Sequence, residues 1–245
     1  MIRGIAEITC DRFSEKEQIK VAIRVPRDIP LKIRVNGEDI ITTSCTPMNL
    51  EHLVIGFLYT EGMISELKDI IEMKVSEEEG LADVKLKSER ESRKLGEVKS
   101  ALTVSAAEIL SLIKEFLKEM QLQSLSGGVH ASALCDPGRV LVVAEDIGRH
   151  NTLDKIQGEC MLKGIATKDR LLLTTARFSP QMLLKAARME IPVVVSRHPP
   201  PLSSISLARE LGITLVGHRW EDHLLVYTHA ERISAEGGNG DEGIR

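Results

Sequence analysis

Aromatic residues are scarce. Phe, Trp and Tyr make up 3% of the 245 residues, and Trp220 is the sole tryptophan. The core must therefore be built from Val, Ile, Leu and Ala, and there is little material for stacking on nucleic-acid bases. Cysteine is sparse as well. Cys10, Cys45, Cys135 and Cys160 contain no CxxC pair, and their gaps do not suggest a structural zinc site. No secretory signal opens the chain and no apolar run is long enough to cross a bilayer. The expectation is a cytoplasmic protein with free thiols and no membrane insertion. The formal net charge is −4 without a long basic block, which disfavours nonspecific duplex binding, so no nucleic-acid partner is expected. A Walker lysine loop, a first-strand GxGxxG, HExxH, HxE with PCxxC, and a G-x-S-x-G elbow are all missing. No structural metal is expected.

What is present is an ordinary apolar fraction of 42%, enough for a real core in one large domain or two smaller ones. Residues 18–41 alternate in polarity. Strands fit Lys20–Val25 and Leu31–Val35, with Asn36-Gly37 as a hairpin turn and a returning strand over Ile40–Thr43. Asn49 is placed to cap a helix that Gly62 ends. Gly56 lies inside that helix, where close packing is a plausible reason for it. Residues 76–100 are highly charged, and a flexible seam is expected at about 88–98. Ser105 and Glu108 form a capping box ahead of a striped helix running to Leu122.

From Arg170 onward, short apolar strands alternate with helices, one of them capped by Ser203. That pattern implies crossover units on a mostly parallel or mixed sheet with flanking helices, an α/β fold. The expected organisation is an amino-terminal β-rich α+β part over 1–100, an α/β cofactor-binding domain over 101–235, and a disordered tail over 236–245.

Leu125–Lys155 is the most informative stretch. It reads LSGGVHASAL, a CDPGR turn, then VLVVAEDIGRHNTLDK. VHASAL fits a strand or a helix equally. Polar groups here punctuate apolar runs, as they do when several converge at the mouth of a core. In a parallel sheet, ligands gather beyond the carboxyl ends of strands. Four expected strand ends carry polar clusters, each with an arginine: Arg149, Arg177, Arg197 and Arg219. Guanidinium forks suit phosphate, and Ser179 and Ser203 sit at helix starts, where backbone N–H groups favour anions. Gly127 and Gly128 would let backbone close over the same ligand. These features suggest a phosphate-bearing ligand such as a nucleotide; otherwise the arginines are surface residues and the serines only cap helices. His130 and His150 fit either acid–base or hydrogen-bonding roles. Glu145 and Asp154 fit orienting roles or surface hydrogen bonds. Among the thiols, Cys45 and Cys135 are the best-placed candidates for nucleophilic chemistry.

Several segments together resemble the formate dehydrogenase accessory protein family, the sulfurtransferases that help mature molybdopterin cofactor. They are PLKIRVNGE (30–38), HLVIGFLYTEGMI (52–64), SGGVHASAL (126–134), EDIGRHNTLDK (145–155), IPVVVSRHPPPLSSISLARELGITLVG (191–217) and YTH (227–229). The resemblance implies a homodimer of α/β subunits, with a cytidine-deaminase-like larger domain. It also implies sulfur receipt from a cysteine desulfurase and delivery to molybdenum held by paired molybdopterin guanine dinucleotides, before insertion into formate dehydrogenase. By position, Gly127, Gly128 and His130 match the family's glycine-histidine motif. Asp146, Gly148, Arg149, His150, Asn151 and Asp154 match its second motif, and Arg177 and Ser179 match the following polar turn.

One departure stands out. The family carries a paired-cysteine loop, roughly CGxCG, where this chain reads SERESRKLGEVKSALTVS, and no cysteine lies between Cys45 and Cys135. Sulfur relay needs a side chain that can hold a persulfide. The expectation divides three ways: an accessory protein acting through another thiol or as a chaperone without one; a non-catalytic guanine- or pterin-nucleotide binding or regulatory protein; or an acid–base enzyme acting on a nucleotide through His130, His150 and a carboxylate.

Overall fold

The computed structural model describes residues 3–87, 95–220 and 223–235. In chain order its elements are β1 Ile5–Phe13, β2 Gln18–Pro26, β3 Ile29–Val35, β4 Glu38–Cys45, α1 Leu50–Thr60, β5 Ile70–Ser76 and β6 Leu81–Leu86. Next come β7 Val104–Ser105, α2 Ala106–Glu119, α3 Leu122–Ser126, β8 His130–Asp136, β9 Arg139–Asp146 and α4 Arg149–Lys163. The last are β10 Leu171–Thr174, α5 Pro180–Arg188, β11 Val193–Ser196, α6 Leu202–Glu210, β12 Thr214–Trp220, β13 His223–Val226 and β14 Ile233–Ser234. The fold is α/β with mixed sheets and flanking helices.

Two compact units are present, each assembled from separated stretches. The first draws on Met1–Glu91, Met120–Ala131 and Ala144–Leu162. It contains a β1–β2 ribbon and a sheet ordered β4-β3-β6-β5. Asn36 (φ 51) and Gly37 (φ 87) form the β3–β4 turn in the left-handed region, as an Asn-Gly hairpin requires. Alternation along β3 buries Leu31, Ile33 and Val35, which join Leu53, Val54 and Leu58 of α1 in one apolar core. Each such side chain, fully buried, contributes about 1.5–3 kcal/mol.

Helices α1 and α4 cross backbone to backbone. A Cβ on Gly56 would lie 1.7 Å from the Asp154 carbonyl oxygen, and one on Gly158 would lie 1.9 Å from that of His52. The interior glycine of α1 is thus required by close approach, not by a kink. Asn49 does not cap α1 with its side chain; it sits at φ 51, ψ 45 and its side chain makes no capping bond. The left-handed region tolerates Asn, and turning the chain there takes precedence over capping.

The second unit draws on Ser92–Glu119, Ser132–Val143 and Lys163–Arg245. Its main sheet is ordered β13-β12-β11-β10-β8-β9. β10, β11 and β12 are parallel; β8 runs antiparallel to β10, and β13 to β12. Every residue of β10 and β11 is buried, as strands covered on both faces require. VHASAL resolves as strand β8. Helix α2 buries Ile109, Leu112, Ile113 and Phe116 along one stripe.

The capping box forms: the Ser105 backbone N–H donates to the Glu108 carboxylate at 2.8 Å, and the Glu108 N–H to the Ser105 hydroxyl oxygen at 3.1 Å. The Ser105 backbone N–H first, and then the Ser105 hydroxyl, which donates to the same carboxylate at 2.8 Å, hold the Glu108 carboxyl below its ordinary value. The box is therefore whole at neutral pH and is lost as pH falls through that lowered value. Helix α6 begins one residue earlier than its sequence suggests. Pro201 is its N-cap and Ser203 falls within the first turn, because proline's fixed φ already suits a helix entry.

The seam expected at 88–98 lies outside the described residues over 88–94. Val98 is 6% exposed, and its N–H donates to the Leu211 carbonyl at 2.8 Å. The tail beyond Ala235 also lies outside the described residues.

Candidate functional site

EDIGRHN spans the end of β9 and the first turn of α4. Its first acid does not face a ligand. The two carboxylate oxygens of Glu145 accept three successive backbone N–H groups, from Gln121 (3.0 Å), Leu122 (2.9 Å) and Gln123 (2.7 Å). Those donors open α3, which would otherwise leave them without intrahelical partners. Helix α3 leads directly into Gly127, Gly128 and His130. Glu145 therefore ties the two motifs together.

Asp146 is the hub of a buried network. Its side chain is 0% exposed, and it forms an ion pair with Lys155, which is 2% exposed. Oδ2 accepts from the Thr46 backbone N–H (3.1 Å) and hydroxyl (2.9 Å). Oδ1 accepts from the Gly148 N–H and the Asn151 amide, both at 2.8 Å. Lys155 Nζ donates to Thr46 Oγ1 at 2.8 Å, and the Asn151 amide also reaches the Ser44 carbonyl at 2.9 Å. A buried charge persists only when paired and hydrogen-bonded in this way. Asp146, Gly148 and Asn151 are thus occupied in joining the β4–α1 turn to the β9–α4 turn. Asp154 is similarly engaged, accepting the Thr60 hydroxyl at 2.6 Å.

The remaining members of the motifs sit nearer to solvent. Gly127, Gly128 and Arg149 are exposed, while His130 and His150 are half-buried. Gly127 (φ +66) is the C-cap of α3, and a Cβ there would meet nothing within 4 Å. Gly128 instead packs against Pro26, whose ring lies 2.9 Å from where a Cβ would be. In the second unit, Arg177 is exposed at the turn after β10. Ser179 caps α5, its hydroxyl oxygen accepting the Met182 N–H at 3.4 Å. The Ser196 hydroxyl donates to the Ala176 carbonyl at 2.8 Å, and that of Ser204 to the Phe178 carbonyl at 3.0 Å. These bonds hold the 176–178 turn from both sides.

Neither candidate thiol is accessible. Cys45, Cys135 and Cys160 are each 0% exposed, and Cys10 alone is half-buried. Burial, with the Asp146 carboxylate adding to it, pushes the Cys45 thiol from 9.0 up to about 12. Burial first, and then the Glu115 carboxylate, pushes the Cys135 thiol up as well. A reactive cysteine needs the opposite: exposure and a stabilised thiolate. With its pKa raised, Cys45 holds far less thiolate at neutral pH than an ordinary cysteine. Ellman's reagent added to the native chain is expected to report one fast thiol, Cys10. The other three should react only in denaturant; fast release of two or more equivalents would contradict the burial of Cys45 and Cys135.

Lys155, Thr46 and Glu145 carry the frame, yet sequence reasoning did not place Lys155 or Thr46 in it. Lys155 reads as an ordinary helical lysine, and Thr46-Pro47 as a strand break. The one available signal was the polarity of α4, which offers no apolar stripe although nine of its residues are buried.

The fold and the frame define an α/β protein in which two polar motifs are locked together, with Gly127, Gly128 and Arg149 exposed. The FdhD/NarQ family model matches residues 26–103 and 89–234. The sulfur carrier protein FdhD of Bacillus subtilis is 35% identical over 248 residues, covering 91% of this chain and 95% of that protein. The protein of the same name from Geobacillus kaustophilus is 36% identical over 257 residues, covering 94% and 96%. A crystal structure described as a formate dehydrogenase accessory protein, from Desulfotalea psychrophila, superposes with a TM-score of 0.85 at 29% identity, covering 94% of this chain and all of that one. The chain belongs to the FdhD/NarQ family.

Proposed function

We propose that this chain is a cytoplasmic accessory protein for formate dehydrogenase maturation that binds molybdopterin guanine dinucleotide, with its molybdenum, as client. The observation that carries this reading is the frame in the first unit. Glu145 and the Asp146–Lys155–Thr46 network fix the SGGVH and EDIGRHN segments, and the fixed edge leaves Gly127, Gly128 and Arg149 exposed with His130 and His150 half-buried. Backbone without side chains and a guanidinium suit a diphosphate. Arg177 and Ser179 in the second unit are proposed as further client contacts. A cysteine desulfurase and formate dehydrogenase are the proposed partners, and the cytidine-deaminase-like description of the larger part belongs to the same reading.

The burial of Cys45 and Cys135 favours a version without sulfur transfer through either of them. In that version the chain holds and delivers the client, or acts as a non-catalytic guanine- or pterin-nucleotide binding protein. Calorimetric titration with GDP tests the binding. Saturable binding is expected, weakened about tenfold or more by Arg149→Ala, since one charge-assisted hydrogen bond contributes about 1.5–3 kcal/mol. Equal affinity in both proteins would remove Arg149 from the site. Incubation with a desulfurase and labelled cysteine separates the two versions: label on no cysteine supports the delivery role, and label on Cys45 or Cys135 overturns it.

A further inference from the structure

Gly127 and Gly128 are glycines for different reasons. Gly127 lies at φ +66, where a Cβ would meet nothing within 4 Å, so its conformation alone favours glycine. Gly128 lies outside the left-handed region, and its backbone would accept an alanine. What opposes one is space. A Cβ there would lie 2.9 Å from Cγ and 3.0 Å from Cδ of Pro26. A proline ring is bonded to the backbone at both ends and cannot swing aside as a flexible side chain does. The bare Gly128 is therefore fitted to strand β2 of the ribbon.

Pro26 closes the base of that ribbon. It pairs with Ile5, and one residue further on the Arg27 N–H donates to the Gly4 carbonyl at 2.8 Å. Ile5, Leu122 and Val129 are all buried and form a small core of their own, with Met48 and Leu125 packed against it. Leu122 opens α3 and Val129 follows the glycine pair. The flanks of the glycine turn thus share a core with β1, while the turn itself meets β2. All of these residues belong to the first unit.

Away from its base the ribbon is open to solvent: Ile8 and Ile23, which pair with each other, are both exposed. Among the described residues it is a two-stranded sheet, and a two-stranded ribbon by itself is marginal in water. Its order comes from the base. A contact that orders the ribbon restrains the glycine segment to the same degree, because coupling between two sites is reciprocal. Glu145 already fixes the start of α3; the ribbon supplies the matching support at the other end.

We infer that the base of the β1–β2 ribbon holds the SGGVH segment in its client-binding shape, with Pro26 and Ile5 as positioning residues acting through Gly128 and Val129. The missing side chain of Gly128 makes room for Pro26, not for a ligand. The inference rests on the client reading for what the segment binds, so two measurements on the full chain test it. Hydrogen exchange read by mass spectrometry without ligand follows residues 122–131, and titration with GDP follows the site. Pro26→Ala removes the ring and Gly128→Ala presses on it. Each is expected to speed exchange in that segment about fivefold or more and to weaken GDP binding about threefold or more, the scale on which contacting residues couple. In the double variant the added methyl takes up space the ring has left, so both values should return to within about twofold of wild type. A change that merely destabilised the chain, or a Gly128 kept bare for a ligand, would give no such rescue. Glu7→Gln, on an exposed part of the ribbon, should change neither. Pro26 is half-buried and Gly128 exposed, so the variants are expected to fold. Unchanged exchange in both single variants overturns the inference whether or not GDP binds, and so do losses that simply multiply in the double variant. Faster exchange with rescue, alongside no GDP binding by the wild type, supports the ribbon contact and overturns the client reading.

Discussion

Gly158→Ala is expected to destabilise the chain by about 3 kcal/mol or more, as severe overpacking does, and Gly56→Ala by a similar amount. Each added methyl would lie within 2 Å of a carbonyl oxygen on the facing helix: 1.9 Å from His52 for Gly158, and 1.7 Å from Asp154 for Gly56. Those oxygens belong to backbone and cannot swing aside, so α1 and α4 must separate. The sign decides the matter. In an open helix, replacing glycine by alanine stabilises by about 1 kcal/mol. Urea unfolding read by circular dichroism would show the difference, and a raised midpoint in either variant would refute the close crossing. The damage should also reach the site, because α4 carries Asn151 and Lys155.

Lys155→Met is expected to cost about 3–5 kcal/mol, the usual result of removing one partner from a buried ion pair. The methionine fills much the same volume, so packing changes little. What changes is Asp146, left 0% exposed and without its ammonium partner. The four N–H and O–H donors from Thr46, Gly148 and Asn151 remain, and they do not cancel a full charge. The double variant Lys155→Met/Asp146→Asn removes both charges and should recover at least about 1 kcal/mol of the loss, since contacting residues couple by that order. Additive losses in the double-mutant cycle would show that the pair is not coupled as the geometry requires. Both single variants should also weaken GDP binding, because the frame that sets Arg149 and the glycine segment would loosen.

How far the residues alone carried the reading varies by element. The Asn36-Gly37 turn, the Ser105–Glu108 box and the Ser179 cap follow from local chemistry within four residues, and the structure forms all three. The apolar strands β10 and β11 announce double coverage by composition alone. Strand β1 escaped attention because Arg12 and Phe13 reverse its alternation and it gains its partner only from β2. Helix α4 misled more deeply. Asn151 reads as a ligand contact, Asp154 as an orienting or surface carboxylate and Lys155 as an ordinary helical lysine, because polar residues near a strand end usually face solvent or a ligand. Their burial is possible only because Thr46, Thr60 and Asp146, from five to more than a hundred residues away in sequence, supply the partners.

The order of residues by itself determined the local pieces: which segments extend, which coil, where they turn, and that two polar motifs of a known family sit at a fixed spacing. Tertiary structure alone decided which polar groups became scaffold and which stayed exposed. It closed Cys45 and Cys135 off from solvent, gave Glu145 to the start of α3, and buried Asp146 against Lys155. The reason is that the fate of a polar side chain depends on whether a partner from a distant segment repays its loss of water. That partner is set by packing, which no local pattern of residues encodes.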